Sequence, residues 1–143
     1  KENAAAIIAG ISVGTLVSLG SALALAVAMG LTREQYVTLL PKSVTTAISM
    51  DVAAELGGIA ALTGAIVILT GIAGNLLAET VCKVFHITDP IAKGVGIGTS
   101  AHAVGTSKAL QMGEVEGAMS GLSIAVAGVL TAVLCPVFVN FIN

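Results

Sequence analysis

Charge is what this sequence has least of: Asp, Glu, Lys and Arg make up 10% of its 143 residues, where a soluble domain carries about a quarter. The gaps matter more than the total. No charged residue lies between Asn3 and Thr32, between Leu56 and Ala78, or from Gly117 to Asn143. Each gap is long enough for the roughly 20 helical residues that cross a hydrocarbon core, which argues against a greasy soluble core. Aromatics are at 3% and hydrophobic residues at 56%, with 17 glycines, again a membrane composition. Net charge is −2 and the basic residues are scattered, so there is no electrostatic footprint for nucleic acid. The two cysteines, Cys82 and Cys135, sit far apart in or beside hydrophobic runs and read as free, packed thiols. With His86 and His102 they form no local cluster, so no metal or other cofactor is expected. No nucleophile elbow is expected either, which ranks an intramembrane enzyme last.

The uninterrupted spans are residues 4–30, 59–82 and 117–141. Gly10, Gly14, Ser18 and Ser21 in the first, and Gly64, Gly71 and Gly74 in the second, are small residues at spacings that let another helix come close. Thr32 is placed to cap a helix, with Arg33 and Glu34 in water or headgroups. Asp89-Pro90 reads as a cap followed by the first residue of a new helix. Gly94-x-Gly-x-Gly98 lacks the lysine and the preceding strand of a phosphate loop, so close helix packing accounts for it better. Pro136 should bend or shorten the last span.

Two stretches interrupt the pattern. In Leu39-Leu-Pro-Lys-Ser-Val-Thr-Thr-Ala-Ile-Ser-Met-Asp51, Pro41 lacks an N–H and should stop a helix arriving from Tyr36, and Ser43, Thr45 and Thr46 can cap its restart. Ser100-Ala-His-Ala-Val-Gly-Thr-Ser-Lys108 repeats the chemistry, with Gly105 as the expected breaker. Laying residues 42–65 over 102–125 pairs Val44 with Val104, Thr46 with Thr106, Gly57 with Gly117, Leu62 with Leu122 and Ala65 with Ala125. The fold expected is therefore an all-α integral membrane bundle with two discontinuous segments forming an internal repeat, as in secondary transporters. Either both breaks are re-entrant hairpins entering from opposite faces, with three crossings, or both segments cross fully, with five. Inverted symmetry favours the hairpins. Counting Lys1, Arg33, Lys83 and Lys93 does not separate the two.

Ionisable residues deep in a membrane segment usually face a cavity or a partner, which makes Lys42 and His102 the leading site candidates against snorkelling or a satisfied bundle histidine. A broken helix also exposes N–H groups that favour negative charge. With Ser43, Thr45, Thr46, Ser100, Thr106, Ser107 and Lys108, the expected ligand is a small anion such as a carboxylate of two to four carbons. The bland alternative is that these hydroxyls bond only their own helices. Asp51 and Glu55, four apart on one face, are weaker candidates for proton coupling. Abundant small-residue faces are compatible with a homo-oligomer.

Leu40-Pro-Lys-Ser-Val-Thr-Thr-Ala-Ile48, Gly57-Gly-Ile59, Asp89-Pro-Ile-Ala-Lys-Gly94, Gly98-Thr-Ser-Ala-His-Ala-Val-Gly-Thr-Ser-Lys-Ala109 and Glu116-Gly-Ala118 resemble the LrgB/CidB family over essentially the whole chain. The resemblance, and the missing initial methionine, imply a single transmembrane domain over 1–143 corresponding to the C-terminal two thirds of a longer member. Members commonly have proline where this chain has Ala47. The resemblance further implies a multi-pass bacterial inner-membrane protein with a small holin-like partner of the LrgA/CidA type. Two roles come with it: control of murein hydrolases and lysis, and transport of small carboxylates, as in pyruvate uptake and the plastid glycolate/glycerate translocator. Transport, with a substrate site at residues 42–46 and 102–108, is the leading expectation, and lysis control the alternative.

Overall fold

The computed structural model describes residues 4–142 and is all-α there; Lys1 lies outside the described residues. Its helices are α1 (Ala4–Met29), α2 (Arg33–Leu39), α3 (Thr46–Glu55), α4 (Ala60–Val84), α5 (Pro90–Met112) and α6 (Glu114–Phe138), followed by a short 3₁₀ turn, Val139–Phe141. Three stretches, Ala4–Met29, Ala60–Val84 and Glu114–Phe141, are long and apolar enough to cross a membrane. Each overlaps one of the gaps in charge. Outward-facing Val17, Val27, Leu69, Leu76 and Val129 are all more than 60% exposed, as lipid-facing side chains should be.

Local chemistry sets several boundaries as the sequence implies. Thr32 caps α2 through a capping box with Gln35. Asp89 accepts from the Ala92 N–H and Pro90 opens α5. Pro136 lies inside α6, so the expected bend or shortening falls near the turn where that helix gives way to 3₁₀ geometry.

The first break lies at Pro41: α2 stops at Leu39 and α3 begins at Thr46. The hydroxyls expected to cap α3 do not do so, since Thr45 occupies the cap position without a side-chain bond. Instead Ser49 Oγ turns back to the Pro41 carbonyl at 2.7 Å and the Val44 carbonyl at 3.3 Å. One hydroxyl from the second helix thereby serves carbonyls that the break leaves without helical donors.

The second break is not at Gly105. The backbone reverses at His102, with φ 42° and ψ −142°, close to the first central position of a type II′ turn that normally demands glycine. Gly105 has a different use: a Cβ there would fall 2.5 Å from Ala101 Cβ and 3.0 Å from Ile97 Cγ2, so its missing side chain lets the two arms of α5 lie together. A continuous helix would hold residues 97 and 105 about 12 Å apart, and their contact establishes a hairpin.

The neighbours along α4 confirm the reversal. Gly74 faces Ala101 and Gly71 faces His102 and Val104, whereas Asn75 binds Ser107 and Glu79 binds Lys108. The inward arm, residues 90–101, thus runs antiparallel to α4, and the outward arm, 103–112, runs parallel to it. Met112 and Lys93 line one cavity beside Cys82 and Lys83, so α5 enters and leaves on one face. Ala6 and Ile7, near the start of α1, share a cavity with Asp89 and Ile91 on that face.

The first hairpin enters from the opposite side. Tyr36 of α2 donates its hydroxyl to the Phe138 carbonyl at the far end of α6, and Val37 and Leu40 pack with Ala26, Val52 and Val139. After α3 the chain returns to the same end, where the Ile59 N–H donates to Thr38 Oγ1 at 2.9 Å. Each half is a hairpin followed by a span, inverted relative to the other. The result is the three-crossing, inverted-repeat arrangement.

Candidate functional site

The two hairpin tips lie near mid-span, where unpaired backbone groups have no water and must find partners within the protein. At the first tip, Pro41, Ser43 and Val44 are buried. Lys42 Nζ donates to Ser18 Oγ at 3.3 Å and Ser43 Oγ at 3.2 Å, and Ser18 Oγ donates to Ser43 Oγ at 2.7 Å. The ammonium is thus held inside the bundle by two neutral hydroxyls, and among the described residues no carboxylate pairs with it. A cation so placed retains most of its capacity to attract an anion. Beside it, Thr15, Ser18, Pro41, Ser43, Thr99 and Thr131 line a pocket with no free volume for a water molecule. A guest must therefore displace the hydroxyls or part the hairpin.

At the second tip His102 is 2% exposed, and its Nε2 lies 2.8 Å from the Val67 carbonyl oxygen of α4. A carbonyl only accepts, so Nε2 carries the proton. The His102 carbonyl accepts from Thr106, whose hydroxyl also meets Ser120 Oγ at 2.7 Å. Gly71 makes room for this ring, because a Cβ there would fall 2.6 Å from Cε1.

The expected site residues therefore separate. Lys42 and Ser43 come together with Ser18. His102 and Thr106 form a second cluster with Val67 and Ser120, and no hydrogen bond joins the clusters among the described residues. Thr99, less than a turn before His102, is the link, since it lines the pocket against Pro41 and Ser43. Ser100 is exposed and bonds the Gly96 carbonyl of its own helix. Thr45 and Thr46 are half-buried, with the Thr46 methyl turned toward Gly64. Ser107 and Lys108 are tied to Asn75 and Glu79 of α4, the ion pair closing at 2.6 Å. Asp51 and Glu55 are exposed on the arm of the first hairpin that returns to the surface, away from both tips.

Sequence reasoning passed over Ser18, Thr99, Asn75 and Ser49. Ser18 did stand out as a small packing residue, but nothing in the sequence names a lysine from another helix as its partner. Gly10-Ile-Ser-Val-Gly14 has the spacing of a nucleophile elbow yet lies within the continuous helix α1, without the strand-to-helix turn that motif needs.

A glycine-type conformation on a histidine costs about 1–3 kcal/mol, and a buried hydrogen bond returns about 1 kcal/mol. His102→Gly relieves the strain but leaves the Val67 carbonyl unpaired at a cost of about 1–3 kcal/mol, so the two nearly cancel and stability is expected to stay within about 2 kcal/mol of the parent. His102→Leu keeps the strain, orphans the Val67 carbonyl and is expected to cost about 2–3 kcal/mol. Thermal unfolding of both variants in detergent distinguishes them; equal losses would show that the backbone at His102 stores no strain for glycine to relieve.

The family model described as LrgB-like matches residues 1–141. The chain belongs to the LrgB-like family. Antiholin-like protein LrgB of Bacillus mycoides (strain KBAB4) is 38% identical over 137 residues, covering 96% of this chain and 60% of that protein. The proteins of the same name from Bacillus cereus (strain B4264) and Bacillus anthracis (strain CDC 684 / NRRL 3495) match to the same extent. The chain thus spans about 60% of the length of these curated relatives. No solved structure matches it significantly. Fold and relatives agree on a multi-pass membrane protein of this family.

Proposed function

We propose that this LrgB-like chain is an antiholin-like component of the bacterial inner membrane that, with an LrgA/CidA-type small membrane partner, restrains murein hydrolases and lysis. The observation that carries this reading is the 38% identity over 137 residues to proteins named antiholin-like LrgB. In a host lacking its own LrgB-like gene, supplying the protein at full length together with its partner is expected to slow detergent-induced lysis several-fold. Supplying the partner alone should not. Equal lysis curves with and without the chain would overturn the proposal.

A second reading, transport of a small carboxylate, is favoured by one observation: two oppositely inserted hairpins bring into the middle of the bundle a lysine that has no carboxylate partner among the described residues. In it Lys42 binds the carboxylate and Ser18 and Ser43 exchange their mutual bond for bonds to substrate oxygens. His102 holds the second tip and does not touch substrate. Uptake of labelled carboxylates of two to four carbons into proteoliposomes tests this reading independently of lysis, and absence of substrate-dependent uptake would exclude it.

A further inference from the structure

Where the second hairpin leaves the membrane, a cavity of 430 Å³ opens between the base of α5 and the end of α4, lined by Lys83, Lys93, Met112 and Glu116 among others. Its charges are unevenly matched. Glu79 is already bound to Lys108 at 2.6 Å and lies 3.7 Å from Lys83. Lys93 and Glu116 have no ion-pair partner among the described residues. Glu116 is 9% exposed and its carboxylate makes no hydrogen bond among the described residues, yet no fully buried side-chain oxygen or nitrogen there lacks a partner. Its carboxylate, which lies over Gly113, is therefore not fully sealed off, and Glu116 is part of the cavity lining. A nearly buried, unpaired carboxylate beside an unpaired lysine, at the level where headgroups lie, is costly unless something zwitterionic satisfies both.

The cavity does not end at the polar residues. Cys82, Ile87 and Lys93 also line a second space, of 360 Å³, that continues between α4 and the inward arm of α5 along Leu77, Ala78 and Ile97 to Ser100. Leu77 on its wall is 54% exposed, so the groove faces the acyl chains. Gly96 keeps it open, with no atom within 4 Å of where its Cβ would be.

We infer that this continuous slot is a binding site for a phosphoethanolamine lipid. Lys93, with Lys83, takes the phosphate, Glu116 takes the ammonium, and one acyl chain lies in the groove beside α5. An anionic headgroup would set its charge against Glu116, and a phosphocholine cannot donate hydrogen bonds to the carboxylate. Such a lipid would brace the hairpin base against α4, independently of what the Lys42 site binds.

The test is native mass spectrometry of the full-length protein, delipidated in mild detergent and titrated with phosphatidylethanolamine, phosphatidylcholine and phosphatidylglycerol of identical chains. One phosphatidylethanolamine per chain is expected to bind about tenfold more tightly than phosphatidylcholine, the value of one charge-assisted hydrogen bond. Glu116→Gln should erase that preference while phosphatidylcholine binding persists. Lys93→Gln should weaken all three, and Leu77→Trp, which fills the groove, should do the same without altering the headgroup ranking. Soluble glycerophosphoethanolamine at equal concentration should not compete. Equal affinity of the unaltered protein for phosphatidylethanolamine and phosphatidylcholine, an unchanged preference in Glu116→Gln, or competition by the soluble headgroup would each overturn the assignment.

Discussion

On the transport reading, Lys42→Met is expected to reduce carboxylate uptake in proteoliposomes by roughly 10- to 100-fold, the equivalent of one hydrogen bond to charge at 1.5–3 kcal/mol. Lys42 is half-buried, with its ammonium held by Ser18 and Ser43, so methionine fills the space but removes the positive charge that favours an anion there. Lys42→Arg keeps the charge in a bulkier, planar form and should retain measurable uptake. Ser18→Ala should weaken uptake less than Lys42→Met, since it removes one of two hydroxyls. Lys108→Met is the informative control: that lysine is occupied by Glu79 at the hairpin base, and its loss should leave substrate affinity nearly unchanged. Parent-like uptake by Lys42→Met would show that Lys42 merely packs its stem in the bundle, and would remove the site.

The largest structural effect is expected at Gly98. A Cβ there would run into the Ser120 carbonyl oxygen and approach Ser123 Cβ to 2.8 Å. The obstacle includes α6 backbone, so relief requires moving a whole helix. Gly98→Val is expected to destabilise the fold by about 3 kcal/mol, at the upper end of ordinary overpacking, or to prevent insertion. Gly121 lies on α6 with nothing within 4 Å of its Cβ position, and Gly121→Ala should be neutral or stabilising by up to about 1 kcal/mol. Denaturant unfolding in detergent measures both, and comparable losses would mean that α5 and α6 are not in this close register.

Those two glycines show what a sequence conveys about such a fold. The Gly94-x-Gly-x-Gly98 string reads as close packing, and Gly94 and Gly98 do press on α6. Gly96, half a turn away, faces an open groove, which spacing alone does not distinguish. The spans were legible because desolvated charge is costly enough to clear whole helices of it. Pro41 was legible because a missing N–H acts locally. The second break was not. A positive φ at His102 is disfavoured by local sterics, and the ring it carries is bound by the carbonyl of Val67, thirty-five residues earlier. Gly105 offered the stronger local signal and proved to serve the approach of the two arms. The grouping of hydroxyls was hidden for the same reason: Ser18 meets Lys42 only because the first hairpin lies against α1.

Inverted hairpins are the premise of the Lys42 site, and accessibility labelling tests them most directly. With Cys82 and Cys135 replaced by alanine, single cysteines at Thr88, Gln111, Glu34 and Glu55, all exposed, are to be labelled by an impermeant maleimide from either side of the membrane. The hairpins predict that Thr88 and Gln111 react from one side and Glu34 and Glu55 from the other. Thr88 and Gln111 reacting from opposite sides would mean that α5 crosses the membrane, and the account would fail.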